Sequence, residues 1–171
     1  MTNVRQLTPA EVARHLDDLA ETLAACVAGG AGVGFVLPFT SADARKWWQS
    51  ILPAINSGER LLFAALDGDR AVGTVQLIPV MHANQPHRAD ISKMLVHPDA
   101  RRRGLGEALM LAAEAEARRL GRSLLTLDTV TDSPAQRLYS RIGWQVSGTI
   151  PNYALSPTRG WDSTTVMWKA L

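Results

Sequence analysis

Met94-Leu95-Val96-His97-Pro98-Asp99-Ala100-Arg101-Arg102-Arg103-Gly104-Leu105-Gly106-Glu107-Ala108-Leu109 runs from a strand, through an arginine- and glycine-rich turn, into a helix. Upstream, Arg88 to Val96 reads as a strand stopped by Pro98. Downstream, Leu105, Ala108, Leu109 and Ala112 recur at i, i+3, i+4 and i+7, which predicts a helix over 104–120 ended by Gly121. Glu107, Glu114 and Arg118 are expected on its wet face. Such a junction can hold phosphate. The first helical turn has N–H groups with no intrahelical partner, and the helix dipole adds positive character there. Glycines without a Cβ let a diphosphate approach the backbone, and Arg101, Arg102 and Arg103 bring charge nearby. Two other phosphate motifs fit less well. A Walker loop needs Lys then Ser/Thr after its last glycine, but Glu107-Ala108 follows Gly106. A dinucleotide fingerprint needs a third glycine where Leu109 stands. Alone, the Gly-x-Gly equally suits a plain tight turn.

Outward from this segment, the chain alternates strands and helices. Val4 to Leu7 reads as a first strand. Thr8-Pro9-Ala10-Glu11 opens a helix, with Thr8 as cap, that continues through Leu16, Leu19, Ala20 and Leu23 and fades at Gly29-Gly30. A glycine-rich loop spans 29–34. Thr40 or Ser41 caps a second helix running to about 56–58. Residues 60–66 and 70–80 form a hairpin about Asp67-Gly68-Asp69. After the helix at 104–120, Ser123 to Thr129 is a strand, and Asp132-Ser133-Pro134 opens a helix through Tyr139 to Ile142. Strands at 144–150 and 163–168 close the order β-α-α-β-β-β-α-β-α-β-β. The expectation is an α/β domain over 1–171: a mixed sheet flanked by helices, with strand-helix-strand at its centre.

Composition bounds the function classes. The 171 residues are 46% hydrophobic and 20% charged, as in an ordinary globular protein, with a formal charge of +2. No stretch approaches the ~20 apolar residues that span a bilayer. The N-terminus has no signal-peptide pattern, so a cytoplasmic location is expected. The single cysteine, Cys26, has no partner for an internal disulfide and is expected to be buried. The four histidines (His15, His82, His87 and His97) lack paired ligand spacing, so no metal is expected. Arginines at 101–103 and at 118, 119 and 122 suit a small polyanion better than nucleic acid, since no reading helix is evident.

The stretch Met94 to Leu109 resembles the acetyl-CoA signature of the GNAT superfamily of N-acetyltransferases. Asp132-Ser133-Pro134-Ala135-Gln136-Arg137-Leu138-Tyr139, ending in Ile142-Gly143-Trp144, resembles the same family's second motif. The element order is also the family's, so the resemblance covers nearly the whole chain. It implies a mostly antiparallel sheet with a central parallel strand-helix-strand unit and helices on both faces. Two departures stand out: Arg102 where glycine is common, and Asp132 where asparagine is usual, either of which can cap a helix. Gly29 to Phe35, Arg88 to Lys93 and Pro151-Asn152-Tyr153-Ala154 are further similar to the tabtoxin resistance subfamily, which acetylates a β-lactam-containing amino-acid toxin.

This resemblance implies acetyl-CoA as cosubstrate. Its pantetheine arm would lie along the strand at Met94, Leu95 and Val96, with the Met94 N–H on the thioester carbonyl. The pyrophosphate would sit at Arg101, Arg102, Arg103, Gly104, Leu105, Gly106 and Glu107, with Asp132, Ala135 and Tyr139 completing the site. A lysine-like amine of pKa ~10.4 lies ~4.6 kcal/mol from its neutral form at pH 7, and a carboxylate acting through water can take its proton. Asp90, four residues before Met94, is expected on the same strand face and matches a glutamate base of some relatives. Asp128 is the second candidate. Asp90 as a surface residue paired with Arg88 or Lys93, and Asp128 as a mere strand end, are the plainer readings. Tyr139 matches the family's tyrosine facing the departing sulfur, though Ala135, Leu138, Tyr139 and Ile142 also form one packing stripe. His97 reads as a loop residue, and Trp47 and Trp48 as packing residues.

Three functions follow as expectations. The first is acetyl transfer to a small amine, with toxin resistance as the narrower form. The second is a protein or peptide N-acetyltransferase, favoured by an open groove lined by acids. The third, from another class, is a non-catalytic acyl-CoA-binding module, against which Asp90, Asp128 and Tyr139 together argue. A homodimer is implied by family analogy.

Overall fold

The computed structural model describes residues 2–171. Its strands are β1 (Thr2–Gln6), β2 (Leu61–Asp67), β3 (Arg70–Pro79), β4 (Arg88–Val96), β5 (Leu124–Val130), β6 (Gln145–Leu155) and β7 (Trp161–Ala170). The helices are α1 (Pro9–Arg14), α2 (Leu16–Ala28), α3 (Ser41–Asn56), α4 (Leu105–Arg119) and α5 (Pro134–Arg141). The seven strands form one sheet in the order β1-β2-β3-β4-β5-β7-β6, antiparallel throughout except for β4 and β5. This is the expected mixed sheet, and α4 is the crossover joining its parallel pair.

Local chemistry accounts for the helix starts. Thr8 and Glu11 form the predicted capping box, and Thr40, rather than Ser41, makes a second one with Asp43. The first helix, read as continuous, breaks at His15. There Asp18 lies 3.3 Å from His15 Nδ1 while accepting a 3.1 Å bond from the Ala71 N–H on β3. That tie to the sheet is tertiary, and helical periodicity does not reveal it.

Two cores lie on opposite faces of the sheet. On one, α4 and α5 bury Leu105, Leu109, Met110, Ala113 and Tyr139 against Val75, Leu77, Ile91, Leu125 and Leu127. On the other, α1 to α3 bury Leu19, Leu23 and Trp48 against Leu62, Ala64 and Leu95. Glu114, expected in water, is buried: Trp144 Nε1 donates to it at 2.9 Å and Lys169 Nζ at 2.7 Å. β6 extends to Leu155, beyond the predicted end, and lies exposed along its whole length.

Candidate active site

The site begins where β4 and β5 part. Their parallel pairing covers only Arg88↔Leu124, Ala89↔Leu125 and Asp90↔Thr126. Beyond Asp90, β4 has no strand partner on its β5 side, and a cleft of about 1010 Å³ opens between them. β4 is bulged in the same stretch: its register to β3 shifts between Ser92 and Leu95, and Lys93 takes φ +49. On a regular strand, residues an even number apart share a face. Here Ile91 packs in the α4 core and Leu95 in the α1–α3 core, so the bulge has reversed the sides.

That reversal corrects the expectation that Asp90 and Met94 share a face. Met94 packs against the α4 core, whereas Asp90, alternating with Ala89 and Ile91, lies on the α1–α3 side. Asp90 Oδ1 accepts from Arg88 NH1 at 2.5 Å and from the Thr126 hydroxyl, and Asp90 is not among the residues lining the cleft. Asp128 does line it, with one carboxylate oxygen accepting from the Thr164 hydroxyl at 3.0 Å. Tyr139 reaches the same cleft from α5, its ring 6.1 Å from that of Trp144. Burial raises the Tyr139 phenol above its ordinary value, and the charge of Asp128 raises it further.

At the cleft's other end lies the arginine-glycine turn. A short 3-10 turn at Pro98–Ala100, whose Asp99 N–H donates to Nδ1 of the buried His97 at 3.3 Å, leads into it. Arg102 and Gly104 take φ of +63 and +76, so glycine at position 102 is favoured by backbone conformation. The first α4 bond is Ala108 N–H to Gly104 C=O, leaving the N–H groups of Leu105, Gly106 and Glu107 without partners among the described residues. Space above Gly104 is open, whereas a Cβ on Gly106 would stand 2.9 Å from Leu138 Cδ2. Gly106 therefore lets α4 pack close to α5. The three arginines separate. Arg101 and Arg102 line the cleft, and Arg101 Nε donates to Val96 C=O at 3.2 Å. Arg103 turns away to Asp67 at 2.8 Å. Ser133, not Asp132, caps α5, while Asp132 precedes it at φ +60, a conformation asparagine and aspartate tolerate.

The described residues match a known family over most of their length. The sequence profile of the Acetyltransferase (GNAT) family matches residues 20–144. The chain belongs to the GNAT family of acetyltransferases. It is an acetyl-CoA-dependent N-acetyltransferase. An uncharacterized N-acetyltransferase from the hisH–hisA intergenic region of Azospirillum brasilense is 32% identical over 151 residues, spanning 85% of this chain and 88% of that protein. Among solved structures, a GCN5-related N-acetyltransferase from Kribbella flavida has a TM-score of 0.77 and 27% identity, covering 99% of this chain and 98% of its own. An acetyltransferase from Salmonella typhimurium, solved with its cofactor acetyl-CoA, has a TM-score of 0.77 at 18% identity, covering 100% of this chain and 94% of its own.

The acetyltransferase's cleft fits acetyl-CoA. A long flexible arm would find an unpaired strand edge in β4, and a diphosphate would find free N–H groups with open space over Gly104. Cys26 is buried beside it, its thiol within 3.4 Å of Val96 C=O, and burial pushes that thiol up. Other cleft residues went unnoticed in the sequence. Lys93 sits inside β4 between Ser92 and Met94, and Thr164, which holds the cleft residue Asp128, lies on a strand remote in sequence.

Proposed function

We propose that residues 1–171 act as one acetyltransferase domain that moves the acetyl group of acetyl-CoA directly to the amine of a small molecule, of the amino-acid-like or β-lactam toxin type that the tabtoxin resistance resemblance suggests. The observation that carries the small-molecule reading is the glycine loop. A Cβ on Gly32 would stand 2.7 Å from Val130 Cγ2, and one on Gly30 3.2 Å from the Thr158 hydroxyl. The loop is thus pressed onto the end of β5 and the β6–β7 turn. A cleft bordered by a loop held in this way suits a small polar acceptor better than an extended peptide.

Bound acetyl-CoA supplies an activated acetyl thioester. In this reading the N–H groups of Leu105, Gly106 and Glu107 hold its pyrophosphate, with Arg101 and Arg102 adding charge. The free side of β4 at Met94, Leu95 and Val96 binds the pantetheine amides, and the Met94 N–H donates to the thioester oxygen. An N–H aimed where negative charge grows lowers the barrier without reorganising. Asp128 takes the amine's proton, directly or through water. Of the two aspartates it is the better supported, because the Asp90 carboxylate is engaged by Arg88 and Thr126. Asp90 then serves to hold Arg88 and the β4–β5 junction. Tyr139 donates its O–H to the departing sulfur. Asp132 and Ala135, at the start of α5, flank the cofactor.

The test is an acceptor screen that follows free thiol released from acetyl-CoA, across amino acids, amino-acid toxins, polyamines and peptides. Turnover confined to small amines supports the proposal. Turnover confined to peptides overturns it in favour of a peptide N-acetyltransferase. Acetyl-CoA binding with no turnover on any member overturns the small-amine reading.

A further inference from the structure

Lys93 occupies an unusual position. It sits in the β4 bulge at φ +49, a left-handed conformation that costs a residue with a Cβ about 1–2 kcal/mol. Its Nζ lies 5.0 Å from the Trp47 ring centroid and 5.5 Å from that of Phe35. Those rings are themselves fixed. Phe35 stacks on Phe39 at 4.4 Å and meets Trp47 edge-on at 5.7 Å, and Trp47 leans on the buried Trp48 at 5.0 Å. Gly34 also borders the ammonium: a Cβ there would stand in ordinary contact with Nζ, at 3.9 Å. Lys93 lines the cleft, and its ammonium lies against these rings at the cleft's margin, with no hydrogen bond or ion pair among the described residues.

The surrounding charges do not balance. Arg60 is close enough that, after burial, its charge is the next cause lowering the Lys93 ammonium below its ordinary value; Asp128 acts in the opposite direction. Arg88 and Asp90 neutralise each other. That leaves Arg60 and Lys93 against Asp128. Donors are also in excess. Arg60 donates to Gln76 Oε1, yet Gln76 Nε2 and Arg60 Nε have no partner among the described residues, and Gln76 is fully buried. Buried donors without acceptors are uncommon in folded proteins. Gln76 pairs in register with Ser92, next to Lys93.

From this juxtaposition we infer that Lys93 is a specificity-determining residue that receives a carboxylate of the acceptor, backed by Arg60 and Gln76. A zwitterion fits the arrangement: its ammonium goes toward Asp128 and its carboxylate toward Lys93. The acceptor is therefore an amino acid or a close analogue with amine and carboxylate in one small molecule. The free amine of a peptide N-terminus has no such neighbouring carboxylate. This inference rests on the proposed transfer to a small amine and names the chemistry of that amine.

The experiment compares the L-amino acids with their primary amides and their decarboxylated amines, following thiol release by native protein and by Lys93→Met and Lys93→Arg. In the native enzyme at least one free acid should exceed its amide in kcat/KM by tenfold or more, mainly through KM. Lys93→Met should raise KM for that acid at least tenfold, abolish the preference over the amide and leave kcat within a few-fold. Lys93→Arg should restore part of the preference, which a purely structural lysine would not require. Both variants should keep the acetyl-CoA-induced rise in melting temperature, showing an intact fold and cofactor site. Equal or better turnover of amides in the native enzyme overturns the inference, as does an unchanged KM in Lys93→Met. If native protein acetylates nothing in the panel, the small-amine reading fails on its own terms. Calorimetric titration of the same acids into the coenzyme A-loaded protein then decides: binding lost in Lys93→Met supports the subsite, and no binding to native protein overturns it.

Discussion

Asp128 and Tyr139 are electrostatically coupled across the cleft: burial raises the Tyr139 phenol, and the Asp128 carboxylate raises it again. The two reach the cleft from opposite sides. Leu125 and Leu127 face the α4 core, so alternation turns Asp128 to the other face, whereas Tyr139 arrives from α5. Both line the cleft that opens where β4 and β5 part. A negative charge beside a neutral phenol suits a reaction in which one group takes a proton while the other offers one.

Asp128→Asn should lower acetylation about 100-fold near neutral pH, within the usual range for losing a general base. Activity should recover partly at higher pH, as the amine loses its proton unaided. Asp90→Asn should have a smaller effect, with a pH–rate profile of native shape, because its carboxylate is engaged by Arg88 and Thr126. Steady-state rates from pH 6 to 10 check both. A native profile in Asp128→Asn removes it as the base; a steeper loss in Asp90→Asn exchanges the two roles.

The backbone of the turn makes a prediction about stability. Relieving Arg102 of φ +63 by Arg102→Gly returns about 1–2 kcal/mol of strain, less about 0.4–1 kcal/mol for a more flexible unfolded chain. The unliganded melting temperature should rise by up to about 6 °C, at about 2–4 °C per kcal/mol for a chain of this size. Gly104→Ala should do the reverse, since it forces a Cβ onto φ +76. Scanning calorimetry without ligand reads both. A fall in Arg102→Gly would mean that contacts of the arginine side chain outweigh its backbone strain.

Gly106→Ala tests the start of α4. The new Cβ would stand 2.9 Å from Leu138 Cδ2 and 3.7 Å from Met94 Sδ, so the side chains between α4, α5 and β4 must move. The acetyl-CoA-induced rise in melting temperature, which comes from binding the folded state alone, should shrink or vanish. The unliganded fold should survive, because Leu138 can yield at its flexible end. An undiminished shift removes Gly106 from the cofactor site. No shift in the native protein, well above micromolar acetyl-CoA, would contradict the cofactor assignment itself.

Glu114→Leu should cost about 3–5 kcal/mol, because it leaves the Lys169 ammonium, largely buried, without its carboxylate. Adding Lys169→Met should recover much of that loss. Denaturant melts of the single and double variants measure the coupling, and additive losses would show that the pair is not coupled.

The parts of the fold set by local pattern were legible in the sequence. The bounds of β4 were read as 88–96 and found there, and the Thr8–Glu11 capping box followed from residue spacing, whereas the cap of α3 was narrowed only to Thr40 or Ser41. What escaped were features set by distant partners. Glu114 looks like a wet-face residue along its own helix, but Lys169 and Trp144, 55 and 30 residues away, draw it inward. Arg103 sits in the turn but is held by Asp67. The β4 bulge had the largest consequence, since it moved Asp90 and Met94 to opposite faces and turned Lys93 into the cleft. No local pattern foretells it, because Lys93 reaches φ +49 while β4 pairs with β3 and parts from β5.

The leaving group gives the last prediction. A thiol ionises near ~8.5 and a free phenol near ~10, so full proton transfer from an ordinary tyrosine to a thiolate is uphill by about 2 kcal/mol. Burial and Asp128 raise the Tyr139 phenol further, so full transfer is costlier still. On the proposed role, Tyr139 therefore stabilises the sulfur by a hydrogen bond as charge grows, and solvent supplies the proton afterwards. The raised value also keeps the phenol protonated throughout the alkaline range, so its ionisation should produce no falling limb below about pH 10. Tyr139→Phe keeps the ring against Trp144 and deletes only the donor. Turnover should fall roughly ten- to a thousand-fold, with the acetyl-CoA-induced melting shift retained. A variant at the native rate would make Tyr139 a packing residue. One that melts early and loses acetyl-CoA binding would show that the hydroxyl supports the fold rather than the reaction.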